Sequence, residues 1–443
     1  MKKLILIIIM MILSICAQDD NDSKAELICG VWYQGGQVLN GTYNYENDID
    51  NYWLQKVFAN VGFKKRINKW LAVTAALEAQ MRLSFKNGST FLESQFYSYN
   101  FYIDQARGDI TAFQNRFIKL RFTLGYFHYH YNESTRNLGN ILFKSSCYPA
   151  AIIQQEFDQN SFYRNFDQDD QNFDQEKGYD VPFLRLLGLN FNASFLNDLL
   201  FNDLMLTTHT YNYPPGDFSF TAIFGLNWRG IKACVGVQGD RILSVNKEHT
   251  YPADAEIEDP ISLESERFTY KGGKFMTYAS LDLKRIMFGE DYPSFFGEND
   301  AKFFFEMNVL GTKNYKTYYK NRKERIPIVF GVLLPTFKIL DVLSVEFEHF
   351  GSLYPNSMER PINSNKPFPE FQNVDYTPEN YKYDDWKWSW YAKRSFSNFS
   401  IIFQFAHDHL WLWSMRAVDQ VFRDNLVDIN KDFYYQFKFL FHF

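Results

Sequence analysis

Apolar and polar residues alternate with period two in stretch after stretch of this chain. In Phe433 to Phe443 every second position is aromatic, and Gln436, Lys438 and His442 lie between. A β-strand turns successive side chains to opposite faces, so such a segment is one greasy wall and one mostly polar wall. Leu71, Val73, Ala75, Leu77, Ala79 and Met81 likewise oppose Thr74, Glu78, Gln80 and Arg82. Ile118, Leu120, Phe122 and Leu124 oppose Lys119, Arg121 and Thr123. Ile231, Ala233, Val235 and Val237 oppose Lys232, Gly236 and Gln238. Phe303, Phe305, Met307 and Val309 oppose Glu306 and Asn308, and Leu343, Val345 and Phe347 oppose Ser344, Glu346 and Glu348.

The pattern predicts about sixteen strands, at 30–42, 56–66, 70–82, 98–109, 116–128, 184–194, 200–211, 217–228, 231–242, 273–285, 301–311, 326–335, 341–350, 385–394, 398–408 and 432–443. Their length suits a tilted bilayer crossing, which takes about 9–11 residues. The connections mostly alternate between short (Arg229-Gly230 is the shortest) and long (129–183 is the longest). Short turns at one end and long loops at the other are the habit of bacterial barrels. The fold class expected is all-β: a transmembrane antiparallel up-and-down β-barrel with short periplasmic turns and long extracellular loops. The alternation keeps parity only if the strand near Gly30 to Asn40 is real and pairs with the last one.

Composition agrees with that reading. Phe, Tyr and Trp make up 19% of the 443 residues, yet mean hydropathy is only −0.35. Aromatics facing lipid and polar side chains facing a wet interior give both values at once. A net charge of −6, widely spread, gives no sign of a nucleic-acid partner. Lys2 and Lys3, the apolar run Leu4 to Ile15 and the small Ala17 form a secretory signal peptide over 1–17, with one barrel domain over 18–443. Cys16 is preceded by Ile15, where a lipidation signal wants a small residue. Cys29, Cys147 and Cys234 have no metal-binding spacing, and no cofactor is expected.

The terminal strand, with Phe437, Phe439, Phe441 and Phe443, resembles the C-terminal signature of Gram-negative outer-membrane barrels, which the barrel-insertion machinery reads. The run Arg136 to Pro149 is similar to one in an uncharacterised group of outer-membrane barrels. The resemblance implies an outer-membrane location, contact with its lipid and lipopolysaccharide, and a porin-like channel for small polar solutes or ions, with a homo-trimer as a candidate assembly. Basic Lys313 to Arg325 suits lipopolysaccharide phosphates at an outer rim.

Alternation places Lys64, Glu78, Arg82, Lys119, Arg121, Lys232, Glu306, Glu346, Glu348, Lys387 and Lys438 on the lumen face as candidate pore-lining charges. In general porins the longest loop folds into the barrel and narrows it. By that resemblance Tyr129 to Pro182 is the candidate constriction, carrying Arg136 and Lys144 in its first half and Asp158, Asp167, Asp169 and Asp170 in its acidic second half.

Two other readings stay open: a surface barrel that holds polysaccharide, and a fourteen-stranded fatty-acid-transporter-like barrel with 18–55 as a plug. No catalytic residue is expected. His407 and Asp408 are strand neighbours pointing to opposite faces, and no nucleophile, phosphate-loop or zinc motif accompanies them.

Overall fold

The computed structural model describes residues 25–40, 42–43, 47–48, 53–85, 96–144, 185–208, 217–244, 254–258, 265–269, 272–312, 322–350, 386–407 and 433–442. The expected leader, 1–17, lies outside them, as do Phe443 and the acidic half of the long loop. Among the described residues no helix is long and apolar enough to cross a membrane, which says nothing about strands.

Sixteen strands form one closed antiparallel barrel. In chain order they are β1 Glu26–Asn40, β2 Trp53–Arg66, β3 Leu71–Phe85, β4 Phe96–Gln114, β5 Ile118–His128, β6 Arg185–Phe195, β7 Leu200–Thr208 and β8 Asp217–Trp228. They continue with β9 Ile231–Ser244, β10 Gly272–Asp282, β11 Lys302–Leu310, β12 Ile328–Leu333, β13 Val342–His349, β14 Trp386–Ser395, β15 Phe399–His407 and β16 Phe433–His442. Each strand pairs with its sequence neighbours. Closure comes from β1 on β16, in a register that sets Gly30 opposite His442 and Gln34 opposite Lys438. The pairing on which the strand parity depends is therefore present. The fourteen-strand alternative is overturned for the same reason: residues 26–40 are wall, not plug.

The faces follow the pattern. On β16 Phe437 and Phe441 are exposed on the outside, and Tyr434 and Gln436 are fully buried on the inside. A two-residue turn links β8 to β9, with Arg229 at φ 45° and Gly230 at φ 83°. Positive φ at both positions gives the turn whose twist matches the flanking strands. One expected strand, 273–285, stops at Asp282. The Asp282 side chain accepts from the Arg285 backbone N–H at 3.2 Å and starts a short helix, Leu283–Phe288. Carboxylate capping of a free N-terminal N–H is a sufficient local reason. A bulge on β4 inserts Asp104 between the partners of Ala76 and Leu77. That extra residue turns its carboxylate inward, where it accepts from Asn60 Nδ2 at 3.1 Å and lies 3.0 Å from His128 Nε2.

Candidate constriction site

After His128 the chain leaves β5 and folds into the barrel. Residues 129–144 are a compact inward segment ending in a one-turn helix, α1 Ile141–Lys144. Gly139 (φ 87°) and Asn140 (φ 56°) are both left-handed. Two such residues in succession swing the backbone so that neighbouring N–H groups converge, an arrangement suited to binding an anion. The Asn140 side chain fixes the turn, accepting from Asn132 N at 3.1 Å and donating to Thr135 Oγ1 at 3.2 Å. At Gly139 any Cβ would lie 2.7 Å from Thr135 Cγ2 and 3.1 Å from Glu306 Oε2.

Two wall carboxylates receive this backbone. Glu346 on β13 accepts from Arg136 N at 2.5 Å, Asn137 N at 3.0 Å and Leu138 N at 2.8 Å, and from Ser344 Oγ at 2.9 Å. Glu306 on β11 accepts from Asn140 N at 3.0 Å and Ile141 N at 2.9 Å. It also accepts from Asn132 Nδ2 at 2.8 Å, Tyr131 Oη at 2.6 Å and Asn308 Nδ2 at 2.9 Å. The other end of α1 is held by Lys274 on β10, whose Nζ donates to the Leu142 carbonyl at 2.7 Å. Anion at the N-terminus and cation at the C-terminus is the favourable sense for the helix peptide dipoles. Both carboxylates are fully buried, so each depends on these donors in place of water.

Apolar packing completes the attachment. Leu138, Ile141, Leu142 and Phe143 are fully buried. They join a cluster with Leu186, Met205, Ile223, Met276, Phe304, Val329 and Leu333 from the inner faces of β6 through β12. Gly236 leaves room for it, since a Cβ there would sit 3.4 Å from Leu142 Cδ2 and 2.9 Å from Met276 Cε. Tyr129 donates to Asp203 Oδ2 at 2.8 Å. Burial holds the Tyr131 phenol well above its ordinary titration range, and the adjacent Glu306 carboxylate raises it further.

The structure disposes the sequence-predicted charges unequally. Glu306 and Glu346 lie beneath the inward segment, and Glu348 pairs with Lys387 at 3.5 Å, both buried. Glu78 is buried beside Asn60 across the β2–β3 pair. Lys232 lies 3.6 Å from Glu133 and 5.5 Å from the Phe201 ring centre. Lys64 is exposed and 4.0 Å from Glu26, Arg121 is exposed, and Lys438 is half-buried. Lys119 bonds to Asp198 in the β6–β7 turn, which with Ser194 Oγ lowers the Asp198 carboxyl below its usual value. Arg136 donates to Asn299 Oδ1 at 3.3 Å, tying the segment to the β10–β11 connection. Arg82 lies on β3 and Lys144 ends α1, whereas Asp158, Asp167, Asp169 and Asp170 fall outside the described residues.

Several site residues were not singled out by the sequence reading. Glu133, 77% exposed, is the acidic group on the open side of the segment. Tyr131, Asn132 and Asn140 build its turn. The apolar cluster on the lumen side of β6–β12 was also not anticipated. Its one sequence signal is Phe303-Phe304-Phe305, where a third aromatic interrupts the alternation.

A closed sixteen-strand wall, the alternation of short and long connections and a loop folded inside define a porin-like barrel. No protein-family model and no curated protein matches the sequence. Solved porin structures do match. Salmonella typhi OmpF in complex with daunomycin aligns at TM-score 0.45 and 9% identity, over 96% of this chain and 99% of that one. A triple mutant of the Rhodopseudomonas blastica porin aligns at TM-score 0.41 and 7% identity, over 95% and 100%.

Proposed function

We propose that this protein is an outer-membrane channel for the passive diffusion of small polar solutes or ions. The observation that carries the reading is the inward segment 129–144, fixed inside a closed sixteen-strand wall by Glu306, Glu346 and Lys274. Sixteen strands enclose more width than side chains alone fill. A segment fixed to one side of the wall narrows that width. Its open side carries Glu133 and Arg136, so both signs of charge stand where a solute passes. Filtering is then by size and charge, with no chemical step.

The outward aromatic wall supports the membrane setting, and β1 on β16 completes a wall without an edge, as lipid demands. Contact with lipopolysaccharide, insertion by the barrel-assembly machinery and a homo-trimeric state belong to the same reading. Single-channel recording in planar bilayers tests it. Discrete ohmic steps are expected, and membranes that stay closed across a wide voltage range would sink the channel.

A further inference from the structure

The short-turn rim repeats one motif. Arg116 lies 5.8 Å from the Phe117 ring centre, Arg229 5.6 Å from that of Trp228, and Arg394 5.7 Å from that of Phe396. All three rings are more than half exposed. Trp228 continues the outward row of Phe224 and Leu226. Arg394 is on the outward face of β14, opposite Ile401. Arg116 and Arg229 are exposed and have no carboxylate partner among the described residues. Arg394 also reaches Asp341 at 3.7 Å and the Lys338 carbonyl.

An arginine stacked on a ring keeps its planar edge free and already oriented. That edge matches a phosphodiester, to which it donates two parallel hydrogen bonds. An exposed aromatic beside it belongs at the boundary between acyl chain and headgroup. We propose that the short-turn rim binds anionic glycerophospholipid, of the phosphatidylglycerol type, with Arg116, Arg229 and Arg394 holding headgroup phosphates and Phe117, Trp228 and Phe396 lying against the chains. The inference rests on the membrane reading above and adds a lipid class and a leaflet to it.

The test is native mass spectrometry of the full chain taken into neutral detergent with equal phosphatidylglycerol and phosphatidylcholine. Wild type should retain phosphatidylglycerol preferentially. Loss of one arginine near a membrane surface corresponds to about fivefold in retention. The double variant Arg116→Gln/Arg229→Gln removes no side-chain hydrogen bond or ion pair among the described residues, and an unchanged thermal unfolding temperature separates its loss of retention from misfolding. Adding Arg394→Gln should lower retention further, and Arg→Lys at the three positions should restore part of it. Equal retention by wild type and the double variant overturns the proposal, as does displacement of the lipid by inorganic phosphate. Conductance of the double variant in neutral bilayers should stay at the wild-type value, which separates this result from failure of the channel. A chain that enters vesicles of neither lipid overturns both readings.

Discussion

The inner wall has two regions that use polar side chains in opposite ways. From β6 to β13 it carries an apolar cluster set among polar side chains, and its carboxylates Glu306 and Glu346 face backbone N–H groups of the inward segment. From β14 round to β1, beside the buried Lys387, it carries a ladder of three neutral amides that ends on a serine hydroxyl. Gln34 Nε2 donates to Gln436 Oε1 at 2.6 Å, Gln436 Nε2 to Gln404 Oε1 at 2.6 Å, and Gln404 Nε2 to Ser389 Oγ at 3.3 Å. The first region binds a loop and the second binds itself. An amide is both donor and acceptor, so a row of amides satisfies its own members. A carboxylate only accepts, so it needs donors from elsewhere, and here a loop supplies them. The ladder should therefore stabilise the wall and the carboxylates should set the aperture.

The double substitution Glu306→Ala/Glu346→Ala should break that contrast most strongly. It strips the acceptors from five backbone N–H groups, four of them buried. Each buried donor left unsatisfied costs about 1–3 kcal/mol. The segment should leave the wall, and single-channel conductance should rise several-fold; an unchanged step size would show that the carboxylates are not what holds it. Gly139→Val should have a similar but smaller effect. The left-handed backbone and the 2.7 Å approach to Thr135 Cγ2 put a β-branched residue under strain of about 1–3 kcal/mol. Here the measurement is open-channel noise together with conductance, and wild-type values for both would remove Gly139 from the account.

Gln404→Ala should act on the other region. It breaks two ladder bonds, and thermal unfolding should come earlier by about 1–2 kcal/mol of stability, with conductance unchanged. A conductance rise equal to that of the carboxylate variant would erase the distinction between the regions. A pH titration of the channel gives a subtler contrast. The Tyr131 phenol is raised by burial and by Glu306. Its contribution to holding the segment is complete below pH 10, the ordinary tyrosine value, and declines as pH climbs toward the raised one. Conductance should be flat up to pH 10 and drift upward beyond it, and Tyr131→Phe should abolish the drift. Smallest of all, Glu133→Gln should move ion preference toward anions by less than about twofold, read as a reversal potential in a salt gradient.

Much of this molecule was legible from the chain alone, because a strand writes its two faces in consecutive residues. The alternation in Phe433 to Phe443 already separates the exposed Phe437 and Phe441 from the buried Gln436. Repeated along the sequence, it gives the strand number, the inward set and the parity of the connections. The length of the loop Tyr129 to Pro182, with the porin resemblance, made it the candidate for insertion.

What each inward charge touches was decided only by the tertiary structure. Glu306 meets Asn140 and Ile141 across sequence separations of 166 and 165 residues, and Glu346 meets Leu138 across 208. No local period encodes such a meeting. Glu306 and Glu348 follow the same rule of alternation, yet one receives a backbone turn and the other pairs with Lys387. Alternation fixes the face because neighbouring side chains are bound to opposite sides of one backbone. It leaves the partner open, because the path of a loop through the barrel depends on donors, cavities and apolar contacts gathered from strands far apart in the chain.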